Sequence, residues 1–282
     1  MLHNLSDLTK ALLFYGLAIG LMTAACLLYP VLGETVVVVA MYTPLAATLL
    51  MLLIVTPDGR TKAGWASLGL HRPGFKAWPA AILVPLVVLG GSYAIVWSSG
   101  LAGFGLTGDL EGLAVWMLPV FALIIIVQHL ATGALGEEIG WRGYLLPRLV
   151  EALGPRWALP LSGFLHGLWH LPIVLLTPLY HADGNLLIVL PLMLTGSTVL
   201  GVILGYLRLA TGSVLPAAIM HSSINVFWAL LRMSTVAAPP LVTEYLAGES
   251  GVLPLAGYAI AAAVVALLLS RSASHQPRPV AL

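Results

Sequence analysis

Long apolar runs alternate along the chain with short breaks rich in Gly, Pro, Asp and Asn. The apolar runs cover approximately 11–32, 35–56, 78–97, 113–136, 157–178, 186–207, 213–231 and 252–270. Each has the ~20 residues that a helix needs to cross the hydrocarbon core of a bilayer. The breaks carry turn chemistry: Gly33-Glu34, Thr56-Pro57-Asp58-Gly59, Thr107-Gly108-Asp109, Ala182-Asp183-Gly184-Asn185 and Pro239-Pro240. The pattern predicts an all-α fold, a polytopic transmembrane helix bundle of about eight spans. Residues 1–282 are read as a single integral membrane domain with a frayed tail from Arg271. The first run is long for a signal-peptide core and is read as a span.

Composition removes the soluble alternative. Charged residues make up 8% of the chain, against about 25% in an ordinary globular protein. Hydrophobic residues make up 60% and the mean hydropathy is +1.00, so a soluble surface of this size would be largely apolar and prone to aggregate. A net charge of +1 excludes a nucleic acid partner, because nothing neutralises a run of phosphates. The single cysteine, Cys26, makes no internal disulfide and reads as an inert helix thiol.

The few charges also orient the bundle. With the N-terminus, the loops after even-numbered spans and the C-terminus on one side, that side receives Lys10, Arg60, Lys62, Arg72, Lys76, Arg142, Arg148, Arg156, Arg208, Arg271 and Arg278. The other side receives Arg232 with Glu34, Asp109, Glu111, Asp183, Glu244 and Glu249. By the positive-inside rule both termini are expected to be cytoplasmic. Trp78, Trp97, Trp141, Trp157 and Trp228 fall near span ends and read as interface anchors. His3, His71, His181 and His275 read as solvated loop or tail residues.

An ionisable group inside a bilayer costs at least a few kcal/mol, so each needs a partner or a task. Three clusters demand an account: Glu137-Glu138-Ile139-Gly140-Trp141-Arg142, His166-Gly167-Leu168-Trp169-His170, and His221-Ser222-Ser223-Ile224-Asn225. Glu138 with Arg142, His166 with His170, and His221 with Asn225 share the i, i+4 spacing of one helical face. Glu137 lies about 100° around the helix from Glu138. One carboxylate can then pair with Arg142 while the other faces a cavity as a general base. The structural alternatives are an ion pair that merely ties helix ends, a hydrogen-bonded core His166, and His129 as interhelical glue. On depth, Glu137 falls at the cytoplasmic end of the fourth span. His170 falls about 20 Å along the fifth, a mismatch that makes part of 144–160 an expected interfacial segment.

The chain has no His-Glu-x-x-His zinc motif, no Gly-x-Ser-Gly and no Gly-x-Gly-Asp. What remains resembles the CAAX prenyl protease and bacteriocin-processing (CPBP) family of intramembrane proteases, of the type II CAAX prenyl endopeptidase kind. That family is marked by Glu-Glu-x-x-x-Arg, Phe-x-x-x-His and His-x-x-x-Asn or Asp on successive membrane elements. The first motif is intact as Glu137, Glu138 and Arg142, and the third as His221 and Asn225. The second keeps its histidine as His170, but His166 stands at the phenylalanine position. The resemblance covers roughly 133–226, which would hold the catalytic core.

The resemblance implies an endopeptidase acting on a membrane-associated peptide or protein, with a CAAX-type tail as the best-known substrate, in a bacterial or archaeal cell membrane. It implies that Glu137 and His170 activate water, His221 and Asn225 stabilise the oxyanion, and Glu138 pairs with Arg142. Metal dependence stays open. Glu137, His170 and His221 are legitimate zinc ligands with water in a fourth position, and a metal-free glutamate mechanism is the other implied route. The competing readings are a non-catalytic scaffold or immunity protein on the same fold, and a proton-coupled transporter. The absence of an internal repeat counts against the transporter.

Overall fold

The computed structural model describes residues 1–2, 4–181 and 184–274, without the side chains of Asp109 and 271–274. His3, His275, Arg278, the Ala182-Asp183 half of one turn, and the Asp109 and Arg271 side chains therefore lie outside the described residues. The fold is all-α. Its long helices are α1 Asp7–Leu27, α2 Thr35–Val55, α3 Phe75–Ser98, α4 Val115–Leu153, α5 Pro155–Leu176, α6 Leu186–Thr211, α7 Leu215–Met233 and α8 Val252–Ser274. A two-residue antiparallel pair, β1 Gly103–Phe104 with β2 Thr235–Val236, ties the loop after α3 to the end of α7.

Local chemistry explains the boundaries. The Ser6 side chain accepts the Thr9 N–H and opens α1, and Asn185 accepts the Leu187 N–H to open α6. Proline occupies the first turn of α5 and α7, where the missing N–H has no helical partner to lose. Gly212 closes α6 at φ +65°, so the chain passes almost directly into α7.

Seven of these helices are long and apolar enough to cross a membrane. The exception is α7, because His221, Ser222, Ser223 and Asn225 lower its apolarity. It is packed against α3, α4 and α6 and buries most of one flank, from Pro216 to Phe227. The expected seventh span is thus a helix at the expected place, packed against others. The outer faces of other helices are apolar, as at Leu123, Ile124 and Val127 of α4 and Ile260 of α8, which suits lipid contact.

The largest departure from expectation is α4. It does not end at residue 136 but continues for 39 residues to Leu153, roughly 58 Å at 1.5 Å per residue. Two π turns, Leu130–Ala134 and Ile139–Leu145, interrupt its α-helical ladder on either side of the glutamate pair. Gly154, at φ +75°, reverses the chain and α5 starts at Pro155. Glu137 is sixteen residues from the end of α4, and His170 is fifteen residues from the start of α5. The hairpin therefore brings them level. The stretch 144–160, part of which was expected to be interfacial, is the end of α4 followed by the start of α5. Arg142, grouped above with loop charges, is in the helix interior.

Close packing holds the bundle around this hairpin. A Cβ on Gly163 of α5 would lie 2.7 Å from Gly201 Cα of α6 and against the Ser197 carbonyl oxygen, so only small residues allow the two backbones to approach. Trp141 is fully buried, with Phe14 of α1 edge-on at 5.7 Å, so it is a core residue and no interface anchor. Cys26 is free and buried.

Charges collect at opposite ends. At one end Asp58 accepts from Lys10 Nζ at 2.8 Å and Arg148 Nη2 at 3.3 Å, and Arg208 Nη2 donates to the Ser67 carbonyl. At the other end Tyr180 meets Glu249 and His181 meets Glu244. His181 is thereby held by Glu244 and largely buried, where a solvated loop residue was expected.

Burial alone would push the Asp58 carboxyl up, but the Lys10 hydrogen bond and charge, with Arg148, outweigh it and hold the group below its usual range. A depressed folded value stabilises the protein above the unfolded pKa of about 3.9. That contribution, about 1 kcal/mol for a partly exposed pair, is lost as pH falls through the folded value. Asp58→Asn is expected to lower the thermal unfolding temperature at pH 7 and to blunt the loss of stability on acidification. An unchanged unfolding temperature at pH 7 would contradict this assignment.

Candidate active site

Glu137 and Glu138 occupy a four-residue α segment, Leu135–Glu138, between the two π turns. Such wide turns re-aim side chains within a continuous helix and recur at functional sites. Here Glu137, Glu138 and Arg142 all point inward, at 3%, 0% and 0% exposure.

From these three residues a polar network spreads to the neighbouring helices. Glu138 Oε1 accepts Arg142 Nη1 at 2.8 Å and His221 Nδ1, from α7, at 2.9 Å. Arg142 Nη1 also lies 3.1 Å from His166 Nδ1 on α5, and His166 Nε2 lies 3.0 Å from Glu137 Oε2. From α6, Arg208 Nε donates to the Arg142 carbonyl at 3.1 Å. His170 Nδ1 is 3.1 Å from the His166 carbonyl oxygen. A carbonyl only accepts, so His170 Nδ1 carries the proton and a neutral ring keeps its lone pair on Nε2. The His170 ring is sandwiched between His166 at 5.2 Å and Tyr180 at 5.7 Å.

A cavity of about 500 Å³ opens beside this network. Glu137, Arg142, His166, His170, His221 and Asn225 all line it, among apolar walls that include Met22, Met41, Ile125, Leu204 and Leu255. Five of the six residues to which the resemblance gives a role therefore reach one space. The sixth, Glu138, lies behind the wall and holds Arg142 and His221. The proposed metal ligands are not gathered in the same way. Ligand atoms of Glu137, His166 and His170 lie within 4.8 Å of one another, but among the described residues His221 does not join that group.

Other lining residues were not expected at the site. Tyr180 donates to Glu249 Oε2 at 2.8 Å, and both line the cavity, so the loop before α8 fixes the ring that backs His170. No sequence signal marks Glu249, which looks like one acid among several in polar loops. His129 lines the cavity with its ring 6.5 Å from His221. Its buried Nδ1 has no hydrogen-bond partner, so it is not the expected interhelical glue through that atom.

A carboxylate, an imidazole lone pair and an amide facing one largely apolar cavity form a set suited to hydrolysis. The first two can take a proton from water, and donors on α7 can meet developing negative charge. Residues 113–227 match the family model described as type II CAAX prenyl endopeptidase, Rce1-like. The match encloses all three motifs. Among curated proteins none matches the chain.

The buried ion pair yields a stability prediction. Arg142→Leu leaves Glu138 without its guanidinium and is expected to destabilise the fold by about 3–5 kcal/mol. Glu138→Leu/Arg142→Leu, which removes both charges, is expected to recover part of that loss. Thermal unfolding in detergent checks both. A double variant less stable than Arg142→Leu alone would contradict the account.

Proposed function

We propose, from the premise that residues 113–227 carry a domain of the Rce1-like type II CAAX prenyl endopeptidase family, that the chain is an intramembrane endopeptidase. It hydrolyses a peptide bond in a membrane-associated peptide or protein, with a CAAX-type tail as the first substrate class to test. The observation that carries the reading is that Glu137 and His170, from adjacent helices, line one cavity with His221 and Asn225.

Water bound between Glu137 and His170 Nε2 gives a proton to the Glu137 carboxylate as its oxygen attacks the scissile carbonyl carbon. The negative charge then moves to the carbonyl oxygen. There the Asn225 amide donates, and His221, protonated on both nitrogens against Glu138, donates from Nε2. Collapse of the tetrahedral intermediate breaks the C–N bond, and Glu137 returns the proton to the leaving amine. The apolar walls limit bulk water, which strengthens each of these interactions. Glu138 and Arg142 touch no substrate in this scheme and hold the catalytic groups in place. The basic end of the bundle, with Lys10, Arg148 and Arg208, is assigned to the cytoplasm.

The donor set does not fit a catalytic zinc site, which takes three protein ligands. Glu137 and His170 have free lone pairs, whereas both nitrogens of His166 are hydrogen-bonded. Among the described residues, His221 is outside the group whose ligand atoms lie within 4.8 Å of one another. No step is therefore routed through a metal.

The test is cleavage of prenylated and unmodified membrane peptides by the chain in liposomes, read by mass spectrometry. Glu137→Gln and His170→Ala are each expected to lower kcat by roughly 10²–10⁴-fold, and prior chelation is expected to leave the wild type active. Full activity in Glu137→Gln would sink the site assignment. A wild type that binds these peptides without cleaving them would favour a non-catalytic scaffold.

A further inference from the structure

We propose that His166 is a positioning residue that clamps the Glu137 carboxylate and couples it to the Arg142–Glu138–His221 chain, and that it does not serve as a metal ligand. The inference rests on the reading of Glu137 as the group that activates water.

Donor and acceptor chemistry fixes the ring. A guanidinium only donates, so at 3.1 Å from Arg142 Nη1 the His166 Nδ1 is an acceptor without a proton. The ring proton is then on Nε2, which donates to Glu137 Oε2 at 3.0 Å. Both nitrogens are used, and ligation through either would break a buried hydrogen bond. The ring is also held flat, stacked on Trp141 at 5.0 Å and 25° and on His170 at 5.2 Å and 28°.

This arrangement has a consequence for Glu137. Among the described residues, the only side-chain hydrogen bond to its carboxylate comes from His166. That bond ties Oε2 and leaves Oε1 for a ligand in the cavity. Through His166, a continuous path runs from Glu137 by Arg142 and Glu138 to His221. The side of the cavity that deprotonates water is thus tied to the side that receives the oxyanion.

Two substitutions separate hydrogen bonding from packing. Phenylalanine keeps a flat ring for the stack but loses both hydrogen bonds. Glutamine can accept from Arg142 with its oxygen and donate to Glu137 with its nitrogen. His166→Phe is expected to lower kcat for peptide cleavage roughly 10- to 100-fold, the effect of a misplaced catalytic group, with KM within about twofold. His166→Gln is expected to restore most of kcat. Wild-type kcat in His166→Phe, or equal impairment in both variants, would overturn the proposal.

A second readout needs no activity. In ¹⁵N-histidine-labelled protein, the resonance pair missing from His166→Gln should show a protonated Nε2 and an unprotonated Nδ1, unchanged on adding zinc. A protonated Nδ1, or a zinc-dependent shift of that pair, would overturn the proposal even if the chain cleaves no peptide.

Discussion

The site depends on one buried oxygen, Glu138 Oε1, which accepts both Arg142 and His221. Removing a carboxylate and a guanidinium from water carries a desolvation cost of several kcal/mol per ion, offset only by close pairing and further hydrogen bonds. Here the pairing joins helices. Arg142 also meets His166, and its carbonyl accepts Arg208 from α6. Four helices, α4 to α7, therefore converge on Arg142 and its carboxylate partner. Pairing only within α4 would leave α5 to α7 without that tie.

The same constraint accounts for the unusual course of α4. A charged cluster is tolerated at membrane depth when protein encloses it. α5, α6 and α7 supply that enclosure, and the π turns on either side of the glutamates aim both carboxylates inward. The cavity is therefore asymmetric. Most of its titratable groups come from α4, α5 and α7, with Tyr180 and Glu249 from the loops, while Met22, Met41, Leu204 and Leu255 keep much of the remaining wall apolar. Such a space sets titratable groups against an apolar wall.

Much of this was legible in the chain because hydropathy and turn residues report spans directly. Seven apolar runs became helices that can cross a membrane, and the motif spacing brought Glu137, His170, His221 and Asn225 to one cavity. The failures have a common physical cause. Glu137-Glu138 and Arg142 lower local hydropathy, so the continuous α4 looked like a span that had ended. In the fold these groups also bond to His166 and His221 on other helices, which a linear reading does not register. For the same reason His166 showed its i, i+4 relation to His170 but not its bonds to Arg142 and Glu137. Trp141 was assigned to an interface by that false helix end, and it is instead packed between Phe14 and His166. The tie from Glu249 through Tyr180 to His170 crosses 69 residues of sequence at its first step, and no local pattern encodes it.

The central claim is that Glu137 and His170 act on one water as a single unit. A double-variant cycle on kcat tests it most directly, with Glu137→Gln, His170→Ala and the combination assayed on one membrane peptide. Groups that act together are strongly non-additive. The account predicts that the combined variant is no more than about threefold slower than the slower single variant. Losses that multiply would show that the two residues act independently, and would contradict the account.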